Sequence, residues 1–183
     1  MEDNFDYSEV QLVMCPECGH DVAVVPDSDL APALVDAGRK WFEFTSSVLD
    51  YPGGGEDLRT RPTPATWSAI EYGCHVRDVL SLFGRRVELA LLAHRPEFVV
   101  WDHEAAVAAH HYAEQDPSAV ADDIEVAAAE LAATAQRLPP AALARSGTRD
   151  GVEFTVGGLI RFALHEMLHH LEDARTVVPA PAA

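Results

Sequence analysis

Leu34, Trp41, Phe44 and Val48 recur at spacings of seven, three and four, the intervals that line one face of an α-helix. A first helix is therefore predicted from Asp29 to Val48, stopped by the Pro-Gly-Gly-Gly run after Tyr51. A second, from about Thr66 to Ala93, carries the stripe Tyr72, Val76, Val79, Leu80, Phe83, Val87 and Leu91. The third opens on Asp116 as N-cap with Pro117 behind it, holds Val120, Ile124, Ala127, Leu131 and Leu138, and stops at Pro139-Pro140. The fourth runs from near Thr155 to just before Val177, with the stripe Val156, Ile160, Ala163, Met167 and Leu171. Between the second and third, WDHEAAVAAHHYAEQ has room for a short helical turn, and SGTRDGVEFT reads as a hairpin around Asp150-Gly151. Four amphipathic segments without a run of alternating strands predict an all-α fold, an antiparallel four-helix bundle over residues 29–183. Residues 1–28 lack helical periodicity, and CPECGHDVAVVPDSD reads as a turn or β-ribbon around its cysteines, an N-terminal appendage to the bundle.

Composition narrows the class. A chain of 183 residues, 48% of them apolar, has material for one sizeable core. With 30 acidic against 13 basic residues the net charge is −17, which repels phosphate-rich partners, so no nucleic acid partner is expected. No stretch approaches the roughly 18 uninterrupted apolar residues of a membrane helix, and MEDNFDYSEV is acidic where a signal peptide is basic and then apolar. No membrane partner and a cytoplasmic location are the expectations. Three cysteines are too few for a disulfide framework, and Cys15-x-x-Cys18 has a spacing suited to metal or redox work.

The chemistry-bearing positions are histidines. In His165-Glu166-Met167-Leu168-His169-His170, His165 and His169 share a helix face one turn apart. They can chelate one ion if another element supplies a further ligand. His75 on the second helix is the candidate. Asp78 beside His75 and Asp173 beside His169 are placed to accept the other ring proton of a ligating imidazole. Glu71 is placed to do the same, or to cap the helix through Ser68-x-x-Glu71. An isolated histidine is also commonly a satisfied polar residue. At about 100° per residue His165 and His169 lie well off the apolar stripe, so the fourth helix is either buried on two sides or exposes them. Arg77, Arg85 and Arg161 are candidates to hold an acidic ligand, or are solvated helix cations.

TWSAIEYGCHVRDVL on the second helix and LHEMLHHLED on the fourth resemble the DinB and YfiT superfamily, particularly its actinobacterial members, over about residues 29–176. The resemblance implies a four-helix bundle with a divalent metal, zinc or nickel, held by one histidine of the second helix and two of the fourth, here His75, His165 and His169. It further implies a low-molecular-weight thiol cosubstrate (bacillithiol, mycothiol or glutathione), a small-molecule substrate undergoing S-transfer or cis-trans isomerisation, and a homodimer. A single lysine among the cationic residues and abundant alanine suggest a GC-rich source, which favours mycothiol. Some mycothiol-dependent members carry glutamate in place of the first histidine of the fourth helix, whereas this chain keeps His165.

The Cys15-Pro16-Glu17-Cys18-Gly19-His20 segment lies outside that resemblance and is similar to half of a zinc ribbon. Three readings stay open: a second structural zinc completed by His20 and another group, a redox pair, or two unlinked thiols. Cys74 points about 100° from His75 and reads as a small core residue. Two further functions compete with thiol transfer. His165-Glu166-x-x-His169 matches the zinc-hydrolase string, although few residues follow it to supply a third ligand, and the bundle could equally bind metal or ligand without catalysis, as a sensor or stress-response module.

Overall fold

The computed structural model describes residues 7–179; the start of the acidic N-terminal stretch lies outside them. The elements are α1 (Leu30–Leu49), α2 (Gly54–Asp57), α3 (Ala69–Leu92), α4 (His103–Ala109), α5 (Pro117–Arg137), α6 (Pro140–Leu143), β1 (Ser146–Arg149), β2 (Val152–Thr155) and α7 (Val156–Val177). The four long helices are the four amphipathic segments, each within a few residues of its sequence limits. Their starts follow capping chemistry: Asp116 accepts the Ala119 N–H at 2.9 Å and Thr155 accepts that of Gly158 at 2.9 Å. At α3 the Glu71 carboxylate returns to the Ser68 N–H at 2.8 Å.

Around the bundle α1 packs on α5 and α7, and α3 on the same two helices, giving the ring order α1, α5, α3, α7. The long helices that follow each other in the chain, α1 and α3, stand across the diagonal, while α3 and α7 become neighbours. They run antiparallel, with His75 meeting His170 at one level and Phe83 stacked on Phe162 at another. At the α1–α5 contact, a Cβ on Gly38 would sit 3.0 Å from that of Ala128, so glycine sets how closely those helices approach.

The β1–β2 hairpin turns through Asp150 (φ 51°) and Gly151 (φ 80°), the positive angles of a two-residue hairpin turn. It is tied to the strand-like segment before α4 by Phe98 N–H to Thr148 O at 2.7 Å and Thr148 N–H to Pro96 O at 2.9 Å. The Phe98 ring occupies the space a Cβ on Gly147 would need. This anchoring carries Arg149 to the wall of the cavity that Arg86 lines.

Residues 7–29 form turns rather than a ribbon: 3-10 turns at Tyr7–Gln11, Val22–Val24 and Asp27–Asp29. Val10, Cys15 and Val22 are buried in the same core as the bundle. The first two turns pack on α7, where Gly158 leaves room for Gln11, and Arg161 donates to Val25 O at 2.8 Å and to Asp27 at 2.7 Å. No helix among the described residues is long and apolar enough to cross a membrane.

Trp41, 1% exposed, donates its indole N–H to Met167 O at 2.9 Å and so ties α1 to the middle of α7. Trp41→Ala removes that bond and leaves a cavity, and is expected to cost about 3–5 kcal/mol, read as a lower urea midpoint at unchanged m-value.

Candidate metal centres

Helix α7 is buried on more than one side because α3 covers one flank and the N-terminal turns cover another. Two pairs of side chains at i and i+4 exploit this. His165 and His169 turn toward the N-terminal segment, and Glu166 and His170, about 100° further round, turn toward α3. The structure therefore separates the residues that the sequence groups. His75 lies with Glu166 and His170, whereas His165 and His169 lie with Cys15 and Cys18; in each group the donor atoms are within 4.8 Å of one another.

In the α3–α7 cluster, His75 Nε2 is 3.2 Å and His170 Nε2 3.5 Å from Glu166 Oε2. His170 Nδ1 is 2.8 Å from Asp173, which fixes the tautomer that leaves Nε2 to the cluster. The ring of His75 stacks on Trp101 at 5.4 Å and lies 5.3 Å from Trp67, and its Nδ1 is buried without a hydrogen-bond partner. Burial pushes the Glu166 carboxyl up, but hydrogen bonds from His165, His170 and His75 prevail and hold it well below the usual carboxylate range. Burial lowers His75. His170 is raised to about 9, because Asp173 and Glu166 outweigh its own burial.

These residues open on a cavity of about 480 Å³. Down α3 from His75, every turn contributes to its wall: Val79, Leu82, Phe83 and Arg86. Arg86 is 5% exposed, with its guanidinium 5.1 Å from the Phe83 ring, one N–H on Val99 O at 2.9 Å, and Nε unpartnered. Burial, and then the repulsion of Arg149 and Arg85, lowers its pKa to about 10. No carboxylate among the described residues is within ion-pair distance of it; Arg149 of the hairpin lines the same cavity.

In the second cluster, Cys15 Sγ is 3.8 Å from His169 Nδ1 and Cys18 Sγ 3.6 Å from His165 Nε2. Burial raises the Cys15 thiol, but backbone N–H groups of Cys18 and Glu17 reverse this and bring it below its ordinary value. Burial lifts Cys18 to about 11.

The remaining candidates fall elsewhere. Asp78 accepts from the Tyr112 hydroxyl at 2.7 Å and from Arg77 at 3.0 Å, and stands 3.0 Å from His110 Nδ1, so it ties α3 to the α4–α5 connection rather than supporting His75. Glu71 receives both the Ser68 cap and the Arg61 guanidinium (2.5 and 2.7 Å), the capping alternative. Asp173 stands beside both His170 and His169 (3.5 Å). His20 contributes its backbone carbonyl to the Cys15 N–H, and its ring is not among the donors grouped around the cysteines. Cys74 is fully buried with its thiol pushed up to about 12 by that burial, a core residue. Arg77, Arg85 and Arg161 pair with Asp78, Ser81 and Asp27 and do not line the cavity. Glu166, His170, Arg86 and Trp101 do not stand out in the sequence, although the eleven residues from His75 to Arg86 are three helical turns and Glu166-x-x-x-His170 has the chelating spacing.

The second and fourth long helices of the four-helix bundle converge on imidazoles and a carboxylate, donors able to hold a metal ion. The family model of the DinB superfamily matches residues 45–174, and the chain belongs to that superfamily. The solved structure of YfiT from Bacillus subtilis, described as a probable metal-dependent hydrolase with an unusual four-helix bundle topology, matches with a TM-score of 0.69. That match covers 82% of this chain and 86% of that one at 17% identity, a likeness of fold. No curated protein matches the chain significantly.

Asp78→Ala strips the buried Tyr112 hydroxyl of its acceptor and is expected to cost about 1.5–3 kcal/mol. A lowered thermal midpoint with unchanged metal content is the expected pair of results; loss of metal would instead place Asp78 behind His75.

Proposed function

We propose that the protein is a metal-dependent enzyme acting on a small anionic electrophile in the cavity, with His75, Glu166 and His170 as the ligands of a divalent ion. The donor set fits such an ion. Two imidazoles and a carboxylate converge at one end of the cavity, with His75 Nε2 and His170 Nε2 both turned to Glu166 Oε2. Zinc and nickel both suit these donors. An ion bound there would lower the pKa of a thiol or water entering its open position.

The protein's own residues do the rest. Asp173 keeps His170 in the Nε2-presenting tautomer, and the indoles of Trp67 and Trp101 hold the His75 ring in place. Val79, Leu82, Phe83 and Phe162 make this part of the cavity wall apolar. Arg86 carries the reading: a buried, unpaired guanidinium in the same cavity, with Arg149 nearby, supplies the counter-charge for a carboxylate on the ligand. It orients the electrophile with its reactive carbon toward the imidazole end.

A low-molecular-weight thiol of the mycothiol type is the proposed nucleophile, since no cysteine lines the cavity. Hydrolysis is the second reading, favoured by the likeness to YfiT; it too would run through the His75 cluster, because Glu166 sits there while His165 and His169 face the cysteines.

Assays of small carboxylate-bearing electrophiles with and without added thiol, before and after chelation, test this. Turnover is expected to need both thiol and metal; metal-dependent turnover without thiol would overturn the transfer reading and leave hydrolysis. Arg86→Met is expected to raise KM for an acidic substrate about 30-fold or more, the loss of some 2 kcal/mol, with a much smaller effect on its amide analogue.

A further inference from the structure

We infer that Cys15, Cys18, His165 and His169 form a second, closed tetrahedral zinc site that clamps the N-terminal turns onto α7. The site stands independently of what the cavity binds. The sulfur-to-nitrogen separations of 3.8 and 3.6 Å match the edge of a zinc tetrahedron, about 3.6 Å for Zn–S near 2.3 Å and Zn–N near 2.0–2.1 Å. All four donor atoms lie within 4.8 Å of one another. Two thiolates and two neutral imidazoles around a divalent ion give a neutral assembly, as a site with Cys15 and His165 fully buried requires.

The backbone is shaped for it. The Gly19 N–H donates to Cys15 O at 2.9 Å and the Cys15 N–H to His20 O at 3.0 Å. Gly19 takes the left-handed conformation (φ 73°) that folds the loop back under the sulfurs. A Cys15–Cys18 disulfide would use none of the histidine nitrogens that converge on the sulfurs.

Each imidazole also has a carboxylate on its far side. With Nε2 of His165 toward the ion, its Nδ1 lies 3.4 Å from the Glu166 carboxylate, and with Nδ1 of His169 toward the ion, its Nε2 lies 3.5 Å from that of Asp173, ion-pair distances rather than aligned hydrogen bonds. Four protein ligands leave no open position, so the site is structural rather than catalytic. A consequence, which does rest on the cavity reading, is that this clamp holds Glu166 and the Asp173 that orients His170; losing it should weaken metal binding in the cavity about 10- to 100-fold.

The test is X-ray absorption of the zinc-loaded wild-type protein together with the optical spectrum of its cobalt-substituted form. Zinc with sulfur and nitrogen ligands, and the thiolate charge-transfer and intense tetrahedral bands of cobalt, are expected. Cavity donors are nitrogen and oxygen only, so a sulfur signature reports on this site alone. It should survive in His75→Ala and vanish in Cys15→Ser/Cys18→Ser together with one zinc equivalent per chain. Absence of sulfur ligation in the wild-type protein would overturn the inference. So would a Cys15–Cys18 disulfide in protein isolated under reducing, anaerobic conditions. Both of these measurements are made on the wild-type protein, so neither depends on the cysteine variant folding.

Discussion

Glu166 is the group on which the arrangement turns. Its carboxylate is sunk between α3, α7 and the N-terminal turns, with imidazole nitrogens of His75, His170 and His165 at 3.2, 3.5 and 3.4 Å. A buried carboxylate is costly unless hydrogen-bonded and neutralised, and those imidazoles are what allow it to stay ionised. It belongs to the α3–α7 cluster through one oxygen and touches the cysteine cluster through the other. The two clusters therefore share a wall one carboxylate thick, and neither can be repacked without the other responding.

That constraint explains the ring order. For Glu166 and His170 to meet His75, α7 must lie beside α3, and for His165 and His169 to be covered, the face of α7 about 100° away must carry the N-terminal turns. Trp41 of α1 fixes α7 from a further side through the Met167 carbonyl. A helix held on so many sides cannot rotate by the 100° that separates the two histidine frames.

The long helices, the hairpin and most caps are legible in the sequence because local signals specify them: periodicity, Asp116-Pro117, Ser68-x-x-Glu71, Asp150-Gly151. The grouping of the donor residues is not. His165-Glu166-x-x-His169-His170 contains two interleaved i, i+4 pairs, and choosing between them needs the neighbour of each face, a tertiary fact. Some members of the resembling family carry a fourth-helix glutamate, yet matching it to Glu166 requires a one-residue shift that spacing alone does not force. The cysteine pair is legible as half a site. Its partners lie about 150 residues away, and no local rule pairs a knuckle with a distant helix; His20 suggests itself only because it is near in sequence. Asp78 shows the same limit from the other side, since proximity along α3 points to His75 while its contacts are with Tyr112 and His110, from beyond α4.

The charge distribution at first sight opposes an anionic ligand, because the chain carries −17 overall. Screening resolves this. At physiological ionic strength the Debye length is about 8 Å, so most of the acidic surface acts only at its own immediate distance. Arg86 acts at contact, from an apolar wall of Phe83 and Phe98 where its charge is little screened. Its lowered pKa near 10 measures the same circumstance: a cation held in a dry place beside another cation, Arg149, without an acid of its own. Proteins seldom leave such a cation uncompensated for reasons of stability, since an apolar residue of similar volume would serve the core better. At the far end of the cavity, Glu166 is engaged by histidines and has no charge left to offer Arg86. One cavity thus has Arg86 in its apolar wall, Arg149 and Asp150 of the hairpin at its rim, and an end built of nitrogen and oxygen donors. On the proposed function, that arrangement aligns a small acid with its carboxylate at Arg86.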